Sequence, residues 1–337
     1  MTHRTAIVRG ISTAIVIVVL GSVALAGQDR SAVSLTGAAP GADEIRMPWG
    51  DPDLQGIWTT QTLTPLERPS EFAGKEFLTP EEAAAYETER SLDRNQDRRD
   101  GGAEADVARA YNDFWWDRGT RMVDDGRTSL IIEPSDGRIP YNPETRARAA
   151  GQRTYRVSGP FNSFLDVDTG ERCLTDGLPI VPGAYNNNFQ ILQTPDSVAI
   201  LHEMFRDRRI IPLGGRSPSN IPQWLGDARG HWEGETLVVE TTKFDDKTAF
   251  RWAASWRMPT KTMRIVERFT RVSADTIDYE FTIEDPSKFT SNWTASVPMT
   301  TDYLGRGVTG GQLYEYACHE GNYSLVNVLV GARTTEK

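Results

Sequence analysis

From residue 186 onward the chain alternates apolar and polar residues in short runs, and clusters of Pro, Asp, Ser and Gly separate those runs. This period-two pattern predicts strands over 189–193, 198–205, 208–212, 262–272, 276–284, 293–301 and 312–317. Turn chemistry stands between them: Thr194-Pro195-Asp196-Ser197, Arg206-Asp207 and Ser273-Ala274-Asp275. The stretch 223–244 predicts a hairpin, with strands 228–233 and 235–241 joined at Gly234. Alternate residues on a strand share a face. Arg229, His231 and Glu233 therefore point one way, and Gly230, Trp232 and Gly234 the other. Three ionisable side chains on one face are either a solvated outer surface or the wall of a polar pocket, and the pattern leaves both open.

The first half reads differently. Residues 53–60 form a turn feeding a strand, and Gly56-x-Trp58 resembles the G-x-W signature of lipocalin-type barrels, whose tryptophan plugs the closed end. Thr79, Pro80 and Glu82 supply a cap, a first-turn proline and a capping box. They open a charged helix that runs to about Arg98, stops at 100–102 and lies on the outside. Tyr111, Phe114, Trp115 and Trp116 form the densest aromatic cluster, either an anchor for this insertion or a lid over a ligand. Further on, 129–133 and 138–141 pair across a turn, and Asn142-Pro143 starts a short helix. No repeat of fixed period appears, which weighs against a propeller. The expected fold is mainly β: an antiparallel barrel or curved sandwich, lipocalin-like in one form, with an N-terminal helical insertion at about 70–128.

His3, Arg4 and Arg9 precede an apolar run from Gly10 to Ala26 that ends in Ala24-Leu25-Ala26, the layout of a secretory signal peptide over 1–26. A disordered leader over 27–47 and a single β-rich domain over 48–337 should follow, in a periplasmic or secreted protein. Losing Arg4 and Arg9 moves the net charge from −10 to −12. That acidity argues against nucleic acid as a partner and against anionic lipid, so no membrane contact is expected after signal removal. Cys173 and Cys318 are the only cysteines, and an even count in an exported chain favours a disulfide.

The candidate chemistry rests on histidine. Without the signal, His202, His231 and His319 remain, each next to or two residues from a glutamate (Glu203, Glu233, Glu320). Their spacing fits no metal signature, so no metal is expected. A histidine paired with a carboxylate can move protons near neutral pH. The catalytic candidates are accordingly His202, Glu203, Asp227, His319 and Glu320. A Cys173–Cys318 bridge would bring His319 toward Tyr185 and Asn187. Those two residues, with Arg229 for an anionic group, His231 and Trp115, are the substrate-binding candidates. Trp252 to Trp256 adds aromatic surface for a pocket. No nucleophile elbow, S-x-x-K, phosphate loop or dinucleotide fingerprint is present, and no cofactor is expected.

The second half resembles a large, mostly uncharacterised family of exported bacterial β-rich proteins. The matching phrases are YNNNFQILQTPDSVAILHEMFRDRRIIPL, GDARGHWEGETLVVETTKF, RIVERFTRVSADTIDYEFTIEDPSKFTSNWT and YEYACHEGNY. The resemblance implies that His202-Glu203 and Cys318-His319-Glu320 belong to the common pattern. At His231 arginine is more usual, which lowers that residue as a ligand or base. It supplies no catalytic residues. The expected function is an exported enzyme that processes a small molecule by acid–base chemistry, of lyase, isomerase or hydrolase type. The alternative is a periplasmic binding or carrier protein without turnover.

Overall fold

A computed structural model describes residues 45–109, 112–147, 161–247, 255–306 and 312–335, all within one compact unit. The expected signal peptide and residues 27–44 of the leader lie outside the described residues, as do Tyr111 and Trp252. The end of the expected leader is already attached: Asp53 N–H donates to the Ile45 carbonyl at 3.1 Å, and Arg46 pairs with Glu235 at 2.6 Å.

The alternating runs become strands, ten in the described residues: β1 (Gly56–Thr59), β2 (Ile131–Glu133), β3 (Asn188–Thr194), β4 (Ser197–His202), β5 (Arg208–Pro212), β6 (Asp227–Glu233), β7 (Thr236–Thr242), β8 (Arg264–Arg271), β9 (Thr276–Glu284) and β10 (Trp293–Thr300). They form one antiparallel sheet in the order β5-β4-β3-β1-β10-β9-β8-β7-β6. Strand β2 lies on the same edge of β10 that β1 touches at Thr300. The sheet curls, but it does not close. Its free edges β5 and β6 meet through side chains: a Cβ on Gly230 would lie 2.9 Å from Ile211 and 2.8 Å from Leu213. The Leu213 N–H goes instead to the Asp196 carbonyl at 2.8 Å. Of the two expected forms, the open curved sandwich fits and the closed barrel does not.

Alternation places Ile265, Phe269, Ile277, Tyr279, Phe281 and Ile283 inside, each fully buried. Trp58 is buried too, and its indole N–H reaches the Leu54 carbonyl at 3.0 Å. The Arg271 guanidinium lies 5.2 Å from the Trp58 ring and binds the Asp53 carbonyl at 2.6 Å. Leu54 N–H is held by Gln193 at 2.5 Å, so this tryptophan sits toward the β3–β4 turn. Trp256 packs edge-on against Trp293, 5.3 Å between centroids, as core.

Helix α1 (Pro80–Arg94) has the expected capping box, with Thr79 and Glu82 satisfying each other's backbone N–H groups. It ends at Asn95, a little before Arg98. A second helix, α2 (Gly102–Ala108), starts where a stop was expected, because Gly101 takes the left-handed conformation (φ 86°) that turns the chain into it. The expected strand at 312–317 is irregular, and helix α3 (Ser324–Thr335) follows it.

Candidate functional site

Strand β4 ends in His202. Its ring stacks on Phe189 of the paired strand, 4.1 Å between centroids and 15° between planes. The β4–β5 connection then turns through Phe205 and Arg206, both at positive φ (54° and 53°). Bulky residues seldom adopt that conformation. The turn delivers Asp207, whose backbone carbonyl accepts the His202 N–H at 2.8 Å. The Asp207 carboxylate accepts from the Thr175 hydroxyl at 2.6 Å and the Asp176 N–H at 2.9 Å. Behind it, Arg257 donates to Asp176 at 3.1 Å and to the Gly177 and Pro179 carbonyls at 3.3 and 3.2 Å.

A second polar cluster adjoins the first. Arg209, on the inner face of β5, reaches across the interior to Glu267 of β8. Nη1 binds Oε1 at 2.9 Å and Nη2 contacts Oε2, while Nη2 also meets the Thr241 hydroxyl at 3.2 Å. The Tyr279 hydroxyl donates to Glu267 at 2.9 Å and accepts the Ile180 N–H at 3.1 Å. Both carboxylate oxygens are bound, as a buried ion pair requires.

His202, Asp207 and Arg209 line one small cavity with Gly177, Leu178, Ile180, Phe189, Ile200 and Leu225. Its free interior holds about one water-sized molecule. Burial sets the protonation around it. Desolvation pulls His202 down to about 4 from the usual 6.5, against the attraction of Asp176. Burial raises Asp207 to about 6 from 3.8, and the neighbouring Asp176 charge pushes the same way. Asp176 itself stays below its ordinary value: burial works against its charge, but Arg257 and then His202 outweigh it. The Tyr279 hydroxyl is pushed up, first by burial and then by Glu267. Between about pH 4 and 6 the cavity wall can therefore hold a neutral imidazole and a protonated carboxyl together.

Among the residues named from sequence, only His202 lines this cavity. Glu203 is buried, but its carboxylate fastens two segments, accepting from Asn188 at 3.1 Å and from the Tyr314 N–H at 2.7 Å. Asn187 braces a loop, bonded to Gly183 N–H at 2.6 Å and the Asp117 carbonyl at 3.2 Å. Tyr185 packs edge-on against Trp116, 6.0 Å between centroids. Trp115 is exposed, beside exposed Phe114. The Cys173–Cys318 bridge is present, with Cα atoms 5.6 Å apart. It leaves His319 and Glu320 exposed on the following turn.

Strand β6 resolves the choice left open by the pattern. Arg229, His231 and Glu233 form a solvated outer face. His231 meets Glu233 at 3.1 Å, and Glu233 meets Arg268 at 2.9 Å, all at the surface. Asp227 and Arg229 bind each other and tie down the 216–219 loop: Arg229 donates to the Arg216 and Ser217 carbonyls at 2.9 and 3.2 Å, and Asp227 accepts the Ser219 N–H at 2.5 Å.

Sequence reasoning missed Asp176, Asp207, Arg209, Arg257 and Glu267. For Glu267 a signal existed, because it shares a face with Ile265 and Phe269 in β8. No group of three His, Cys, Asp or Glu side chains suited to a metal ion occurs among the described residues. Comparison with known proteins finds no matching family model, no similar curated protein and no similar solved structure. Fold and site together define a class: a curled antiparallel β-sheet protein with half-buried titratable groups set beside a buried ion pair.

Proposed function

We propose that this chain is an exported enzyme that acts on a small molecule by proton transfer, of lyase, isomerase or hydrolase type, with His202 as base and Asp207 as acid. The observation that carries this reading is that His202 and Asp207 line one cavity while burial moves their pKa values in opposite directions. Paired groups displaced in this way are a mark of acid–base sites. Asp176 and Arg257 serve as positioning residues. Export is supported by the disulfide and by the resemblance to an exported bacterial family.

The small free volume favours a second reading, a binding protein without turnover. Either reading requires Leu178 and Leu225, which line the cavity from loops, to move aside for anything larger than water. The test is a thermal-shift screen of small organic compounds, followed by turnover assays of each hit with wild type, His202→Gln and Asp207→Asn. An enzyme of this kind loses about 10²–10⁴-fold in rate in either variant. Hits whose affinity survives both substitutions, with no turnover in wild type, select the carrier.

A further inference from the structure

Arg209 lines the cavity with His202 and Asp207, and two of its nitrogens are committed to Glu267 and Thr241. Its Nε–H is different. That atom is buried and has no hydrogen-bond partner among the described residues. Buried donors are nearly always satisfied, because the hydration lost on folding is otherwise not recovered. Because Arg209 lines the cavity, an oxygen held there is the candidate partner for this donor.

Charge selects the kind of oxygen. Glu267 cancels the charge of Arg209, and Asp176 cancels that of Arg257. His202 is neutral over most of the pH range, and Asp207 adds only negative charge as it ionises. Among the described residues no cation is left over at the cavity to offset a desolvated carboxylate or phosphate, whose burial would therefore be costly. An uncharged acceptor meets no such penalty. Its oxygen would take the Nε–H, and the atoms next to it would face His202 and Asp207.

We propose that Arg209 is the oxygen-holding residue of this site, and that the ligand is a small, neutral, carbonyl-bearing compound. The inference rests on the reading of the cavity given above and narrows its substrate class. It also sets aside the sequence-based expectation that Arg229 holds an anionic group, since that side chain is engaged on the outer face.

The test uses formamide and formate, which match in size and differ in charge, titrated into the ¹⁵N-labelled full chain at pH 7. The arginine Nε–H and histidine ring resonances are followed, with Arg209 and His202 assigned by substitution. Formamide should shift both signals saturably, and formate should leave them in place at the same concentrations. The paired variant Arg209→Met with Glu267→Gln keeps an acceptor for the Tyr279 hydroxyl and removes the donor. It should weaken the His202 response to formamide at least tenfold. Formate binding as tightly as formamide overturns the charge argument. A formamide shift at His202 without one at the Arg209 Nε–H leaves the cavity reading standing and overturns the donor assignment. Silence of both signals to formamide overturns the proposal and removes support from the cavity reading as well. If the paired variant fails to fold, the wild-type Nε–H response decides alone.

Discussion

The outer face of β6 and the inner end of β4 hold much the same kinds of side chain in opposite settings. On β6, Asp227, Arg229, His231 and Glu233 stand at alternate positions and so share one face. Its His231–Glu233 end is in water, where ion pairs are worth little because solvent screens them. Near His202, the charged residues come from separate loops and strands, yet they converge around one cavity. There the same chemistry is desolvated, so each charge must be paired, bonded or neutralised. Charged residues crowded along a strand mark a surface, whereas charged residues gathered from distant segments mark a site.

The contrast is broken most severely at the Arg209–Glu267 pair. Glu267→Ala leaves the Arg209 charge buried and uncompensated, and should cost about 3–5 kcal/mol in chemical denaturation. Arg209→Met with Glu267→Gln should recover most of that loss. Next comes the disulfide, which ties the loop carrying Asp176 to residues 312–323. Replacing both Cys173 and Cys318 with serine should cost about 2–5 kcal/mol.

The pH dependence sharpens the comparison further. Between about pH 4 and 6.5 the unfolded chain protonates His202 and the folded chain does not, so this residue makes stability rise with pH. Between about 3.8 and 6 the folded chain keeps a proton on Asp207 that the unfolded chain releases, so this residue makes stability fall with pH. The two nearly cancel in wild type. Asp207→Asn should unmask a gain of about 3 kcal/mol from pH 4 to 6.5, and His202→Gln a loss of about 2 kcal/mol from pH 4 to 6. Denaturation curves at several pH values read both slopes. The smallest effect is expected on the outer face, where His231→Ala should leave the denaturation midpoint unchanged.

Much of the sheet is written in the alternation of β8 and β9 and in the turn residues between strands, because a period of two has one physical meaning when one face is buried. The strand expected at 312–317 shows the limit of that rule. Its residues are held by side chains instead of a ladder: Tyr314 N–H on Glu203, Glu315 on Arg206 at 2.9 Å, and Tyr316 on Phe205 with ring centroids 4.6 Å apart. The site was less legible. His202 stood out as a histidine at a strand end. Asp176 and Asp207, however, lie in loops and Arg257 ends a short 3-10 turn, none of them with a periodic pattern, and only the folding of these segments against the curled sheet brings them together. The β5 sequence Arg208-Arg209-Ile210-Ile211 offers one arginine and one isoleucine to each face. Only the structure shows that Arg209 and Ile211 go inward while Ile210 remains exposed.

The proposed acid–base role rests most heavily on His202 and its lowered pKa. The most direct test is a pH titration of its ring by NMR in the wild-type full chain, with His202→Gln used to assign the signal. A midpoint near 4 is the predicted result. A midpoint near 6.5, the value of a solvated imidazole, would contradict it.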